Sequence, residues 1–142
     1  MRRAGALLHL SREHHTTLAM AAHARRVADA GDAADCAEAL ARLDAHWRSM
    51  MNAHCAAEEL LLRLAADAVG AADAARIVAE HAELHTLAVG PCALDAPARL
   101  RRFAELTVAH VRYEERELFP QLQAHPSVAA PDAAADSPRP SA

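Results

Sequence analysis

Residues 72–91 read ADAARIVAEHAELHTLAVGP. Alanine, the strongest helix former, recurs through the stretch, and Gly90-Pro91 ends it with a clear stop signal. Ile77, Val78 and Leu84 flank His81 and His85 at helical spacing. The stretch predicts one helix, from about Ala72 to Val89, and the rest of the chain repeats its character. The 142 residues include 39 alanines and only 4 glycines, and aromatics are 3% of the total. Too few turn residues are present for many short strands. The fold class is therefore all-α.

Punctuation sets the other helices. One is expected from Leu8 to Ala30, stopped by Gly31-Asp32, and a second from about Asp35, a suitable N-cap, to Val69. A fourth opens at Asp95 with Pro97 in its first turn, where a missing N–H costs little, and runs to Phe119 before Pro120. Short connections between long helices make neighbours antiparallel, so the expected architecture is an up-down-up-down four-helix bundle over residues 1–125. Residues 126–142 are rich in proline and alanine with no aromatic, and a disordered tail is expected there.

Charge excludes several partners. All 15 basic residues are arginine against 19 acids, giving a net charge of −4. No basic footprint for nucleic acid is clustered, and no apolar run reaches the ~18–20 residues of a membrane span. Cys36, Cys55 and Cys92 lack C-x-x-C spacing and read as reduced thiols, which points to a cytoplasmic protein.

Ten histidines call for an explanation. Positions i and i+4 share a helix face. His54/Glu58, His81/His85 and His110/Glu114 are three such pairs on three helices, and the first helix offers Glu13-His14-His15. Imidazoles and carboxylates in this number exceed what one tetrahedral zinc takes, but suit two octahedral ions sharing bridges. On the first helix His14 lies on the apolar stripe with Leu10 and Ala21, whereas His15 lies roughly 60° outside it; His15 stays open as the alternative. Trp47, Met50 and Met51 read as core, Cys55 as a packing thiol, and Tyr113 as partly exposed. His9, His23, His46 and His125 receive no role. No glutamate stands three residues before a histidine, as ferritin-like di-iron sites require, and alanine occupies the position of a zinc protease's catalytic glutamate in His81-Ala-Glu-Leu-His85.

Leu10-Ser-Arg-Glu-His14-His15, His54-x3-Glu58-Glu59, Glu80-His81-x3-His85 and His110-x3-Glu114-Glu115-x2-Leu118-Phe119-Pro120 together resemble the hemerythrin and HHE cation-binding family, over about residues 7–125. The resemblance implies a four-helix bundle around a non-haem di-iron centre with oxo or hydroxo bridging. His14, His54, His81, His85 and His110 would be terminal ligands, and Glu58 and Glu114 bridging carboxylates. Glu115, at i+5 from His110, is the alternative to Glu114, since oxygen-carrying hemerythrins use i+5. Five imidazoles, two bridging carboxylates and one bridging oxygen would fill eleven of the twelve positions of two octahedral ions, leaving one for a small ligand. The expected function is a di-iron protein that binds oxygen, nitric oxide, peroxide or iron itself for sensing, storage or stress protection. A di-iron oxidoreductase reducing peroxide or nitric oxide is the alternative.

Overall fold

The computed structural model describes Arg3 and residues 5–128. Among these residues every regular element is helical. Helix α1 spans Gly5–Ala30, α2 Ala33–His46, α3 Asn52–Leu64, α4 Ala71–Val89, α5 Ala96–Tyr113 and α6 Phe119–Ala124. Two single π-turns, Trp47–Met51 and Glu114–Leu118, join α2 to α3 and α5 to α6 without interrupting the rod. In each, the next amide reaches back five residues: Asn52 donates to the Trp47 carbonyl and Phe119 to the Glu114 carbonyl.

The helix ends follow their local chemistry. Gly31 closes α1 at φ 77°, a left-handed conformation costly for a residue with a Cβ. The cap of α2 is Asp32 rather than the expected Asp35: its carboxylate accepts from the Asp35 amide at 2.9 Å, which places Asp35 in the first turn. Asp95 caps α5 in the same way, accepting from Ala98, with Pro97 in the first turn as expected. The second rod ends at Leu64, five residues short of the expected Val69, and 65–68 form turns. At the other end packing continues beyond residue 125, because Val128 is buried in the cluster that holds Leu7, Leu118 and Leu122. The rest of the expected tail, 129–142, lies outside the described residues.

Neighbouring helices run antiparallel. Arg101 on α5 reaches Asp29 and the Ala28 carbonyl at the end of α1, while Glu115, just beyond α5, reaches Ser11 and His14 near its beginning. Arg102 meets Glu83, and His110 meets Glu80. The interior is layered along the rods. One apolar cluster gathers Ala21, Trp47, Leu84, Leu100 and Phe103; a second gathers Leu7, Leu10, Leu61, Ile77, Phe119 and Leu122. Between them lies a polar layer holding the buried polar residues of the described chain: His14, Thr17, His54, Glu58, His81, Thr107, His110 and Glu114. The alanine-rich helices pack closely at the first cluster, so the few large side chains there matter most. Leu100→Ala, at a fully buried site, is expected to cost about 2–5 kcal/mol in urea unfolding.

Candidate metal centre

The polar layer is built from one turn of each rod. His14 comes from α1, His54 and Glu58 from α3, His81 from α4, and His110 and Glu114 from the junction of α5 with its π-turn. The two glutamates are 0% exposed. Glu58 lies between three rings: its Oε1 is 2.9 Å from His81 Nε2, and its Oε2 is 3.0 Å from His54 Nε2 and 3.4 Å from His14 Nε2. Glu114 Oε1 is 2.7 Å from His110 Nε2 and 3.2 Å from His14 Nε2. The Nε2 atoms of His14 and His54 face each other at 3.2 Å.

Many of these approaches are close without being aligned as hydrogen bonds. Glu58 Oε2 and both oxygens of Glu114 have no hydrogen-bond partner despite the nearby nitrogens. Buried carboxylate oxygens left in this state are costly. Their lone pairs and the Nε2 lone pairs of neutral rings would instead all be used by a cation between them. Two overlapping groups meet that need: His14, His54, Glu58 and Glu114, and Glu58, His81, His110 and Glu114, each with its ligand atoms within 4.8 Å of one another. Nitrogen and oxygen donors of this kind suit iron and other first-row transition metals.

Without a cation the cluster is held by protons. Burial works to lower the pKa of His14, but the nearby carboxylates of Glu114, Glu115 and Glu58 outweigh this and push it up to about 11. Burial also works to lower that of His110, and the nearby carboxylates of Glu114 and Glu80 push it up to about 9. Burial works against ionisation of Glu58, yet the nearby rings of His14, His54 and His81 hold it well below the usual carboxylate range.

The family profile of the hemerythrin HHE cation-binding domain matches residues 6–122. The chain belongs to that family. No curated protein and no solved structure matches it. A hemerythrin HHE domain binds metal cations, and the buried His/Glu groups fit a metal site. Among the described residues of this hemerythrin-family chain, no helix is long and apolar enough to cross a membrane.

Six of the seven expected site residues meet in this layer. His85 does not: it is exposed, with its ring edge-on to Trp47 at 5.9 Å between centroids. The reason is angular. The inward stripe of α4 is Ile77, His81, Leu84 and Ala88, and one further turn from His81 carries His85 about 70° from the centre of that stripe. Of the alternatives, His15 is exposed, and Glu115 is half-buried outside Glu114, bonded to His14 Nδ1 at 2.6 Å.

The sequence reading gave no role to Glu13 and Glu80. They accept from His54 Nδ1 at 3.0 Å and His110 Nδ1 at 2.8 Å. Each stands immediately before an inner histidine, a signal that was available. His46, also left without a role, bonds the Thr17 hydroxyl at 2.9 Å. Trp47 and Met51 are buried in the core as read. Cys55 is buried too, and burial, then the charge of Glu58, pushes its thiol up.

Proposed function

We propose that this hemerythrin-family chain is a non-haem di-iron protein that binds a small ligand (oxygen, nitric oxide or peroxide) or holds iron itself, for sensing, storage or stress protection. The observation that carries the reading is the sharing of Glu58 and Glu114 by two His/Glu groups. His14 and His54 would serve one ion, His81 and His110 the other, and both glutamates would be common to the pair. Bound iron would supply a Lewis-acidic, redox-active centre. With His85 outside the set, a bridging oxygen leaves one octahedral position open on each ion, where five imidazoles would have left one in total.

The chain's own residues set what can reach that centre. An open surface groove of about 270 Å³ beside the layer is lined by His81, Trp47, Cys55, Glu59 and His85 among others. Burial of Glu58 and Glu114 keeps bulk water from the inner oxygens. In this reading α1, α2 with α3, α4, and α5 with α6 are the four arms of an up-down-up-down bundle, a domain over residues 1–125, and the antiparallel contacts support it. The free thiols of Cys36, Cys55 and Cys92 fit a reducing cytoplasm.

Metal analysis and absorption spectra of protein from iron-replete cells test the proposal. The expected result is two irons per chain, charge-transfer bands of a bridged pair, and new bands on adding azide or nitric oxide. His15→Ala should behave like the wild type and His85→Ala should keep both irons, since both side chains stand outside the layer. Protein without iron under these conditions would refute the reading, and loss of iron in His85→Ala would place His85 among the ligands.

A further inference from the structure

All four buried imidazoles turn Nδ1 outward onto a carboxylate that is not one of the inner pair. Glu13 on α1 meets His54 on α3 at 3.0 Å, and Glu59 on α3 meets His81 on α4 at 2.8 Å. Glu80 on α4 meets His110 on α5 at 2.8 Å, and Glu115, in the π-turn after α5, meets His14 on α1 at 2.6 Å. The contacts run in one sense. Each rod supplies an acid to the histidine of the next rod in chain order, and the last returns to the first.

The sequence places each acid beside an inner residue: Glu13 before His14, Glu59 after Glu58, Glu80 before His81, Glu115 after Glu114. Adjacent residues on a helix point about 100° apart. A residue next to one that faces the interior is therefore aimed toward a neighbouring rod. Isolated His–Glu contacts are common on helix surfaces and carry little meaning. Here the same contact recurs at every buried imidazole, always through Nδ1 and always in the same direction around the molecule.

Three of the acids are fixed from outside. Arg76 bonds Glu80 at 3.2 Å, Ser11 bonds Glu115 at 2.8 Å with Arg3 at 3.5 Å, and His9 lies 3.5 Å from Glu13. Glu59 bonds His81 at 2.8 Å. A carboxylate only accepts, so each one holds the proton on Nδ1 and leaves Nε2 as the atom aimed inward.

We propose that Glu13, Glu59, Glu80 and Glu115 form a closed ring of positioning residues, each orienting a metal-binding imidazole on the next rod and adding negative charge around the centre. The proposal rests on the reading that the buried histidines hold metal. Outer carboxylates of this kind raise the basicity of an imidazole ligand and fix its orientation. The ring also makes each ligand depend on the placement of a neighbouring helix.

Cobalt(II) titration of the metal-free protein tests the ring, because cobalt's visible bands report ligand geometry. Glu13→Gln, Glu80→Gln and Glu115→Gln each keep an acceptor near Nδ1 and remove the charge. Each is expected to bind cobalt about 10–100-fold more weakly. Each should also shift the visible bands at saturation, which loss of a purely structural contact would not do. In the iron-loaded protein the same changes should move the reduction potential positive. Glu117→Gln, at an exposed acid of the same π-turn as Glu115, should match the wild type. Should Glu115→Gln fail to fold through loss of Ser11 and Arg3, Glu59→Gln carries the same test. Gln variants with unchanged affinity and bands would overturn the ring. Wild-type protein that takes up no cobalt would instead reject the metal reading beneath it.

Discussion

Replacing Glu58 with alanine is expected to reduce the proposed metal content from two ions per chain to one or none. Glu58 is the side chain on which the two groups most depend: fully buried, it sets one oxygen beside His81 and the other beside His54 and His14. Its removal takes a donor from both groups at once, and no exposed acid can swing in to replace it. Glu58→Gln keeps nearly the same volume and separates loss of charge from loss of packing, so far-UV circular dichroism should show native helix while metal content falls. Metal analysis by mass spectrometry reads the result. Two ions retained with an unchanged spectrum would end the bridging assignment.

The second large effect is on stability. Metal-free protein keeps Glu58 and Glu114 buried with oxygens that no aligned donor satisfies, between two apolar layers. Metal binds the assembled cluster and not the open chain, so free metal at a thousand times its Kd adds about 4 kcal/mol to unfolding. For a chain of this length that corresponds to a rise of roughly 10–15 °C in Tm. Calorimetry with and without a chelator checks the difference. Equal midpoints would mean that metal does not bind the folded chain in preference to the open one.

What was legible in the sequence was what is local. Alanine content and Gly-Pro punctuation announce helices, and pairs such as His54/Glu58 and His110/Glu114 share a face by helical geometry alone. The cluster's six inner residues follow from those rules. His85 defeats them because it sits at the edge of its stripe, where Leu84 and Ala88 take the interior and Trp47 fills the neighbouring space. Periodicity within α4 does not reveal what a different helix places beside it. Glu13 and Glu80 were missed for the same reason: their partners, His54 and His110, lie on other rods. The π-turns escaped notice because they differ from α-helix by one residue in a turn, with no residue type that marks them.

Those π-turns make the centre sensitive to chain length as well as to composition. An α-helix that advances four residues at a time drifts by about 40° per step. The wider turn at Glu114–Leu118 takes up that drift, so His110, Glu114, Leu118 and Leu122 all remain on the buried side. Straightening this turn to ordinary helix with every residue kept would rotate everything beyond it by about 100°, whereas deleting one residue at the same time would leave the later residues facing as they do. Without that deletion Phe119 and Leu122 would leave the cluster formed with Leu7 and Leu10, although every histidine and glutamate of the polar layer would still be present. Among relatives, a straight helix in place of this turn should therefore be one residue shorter there.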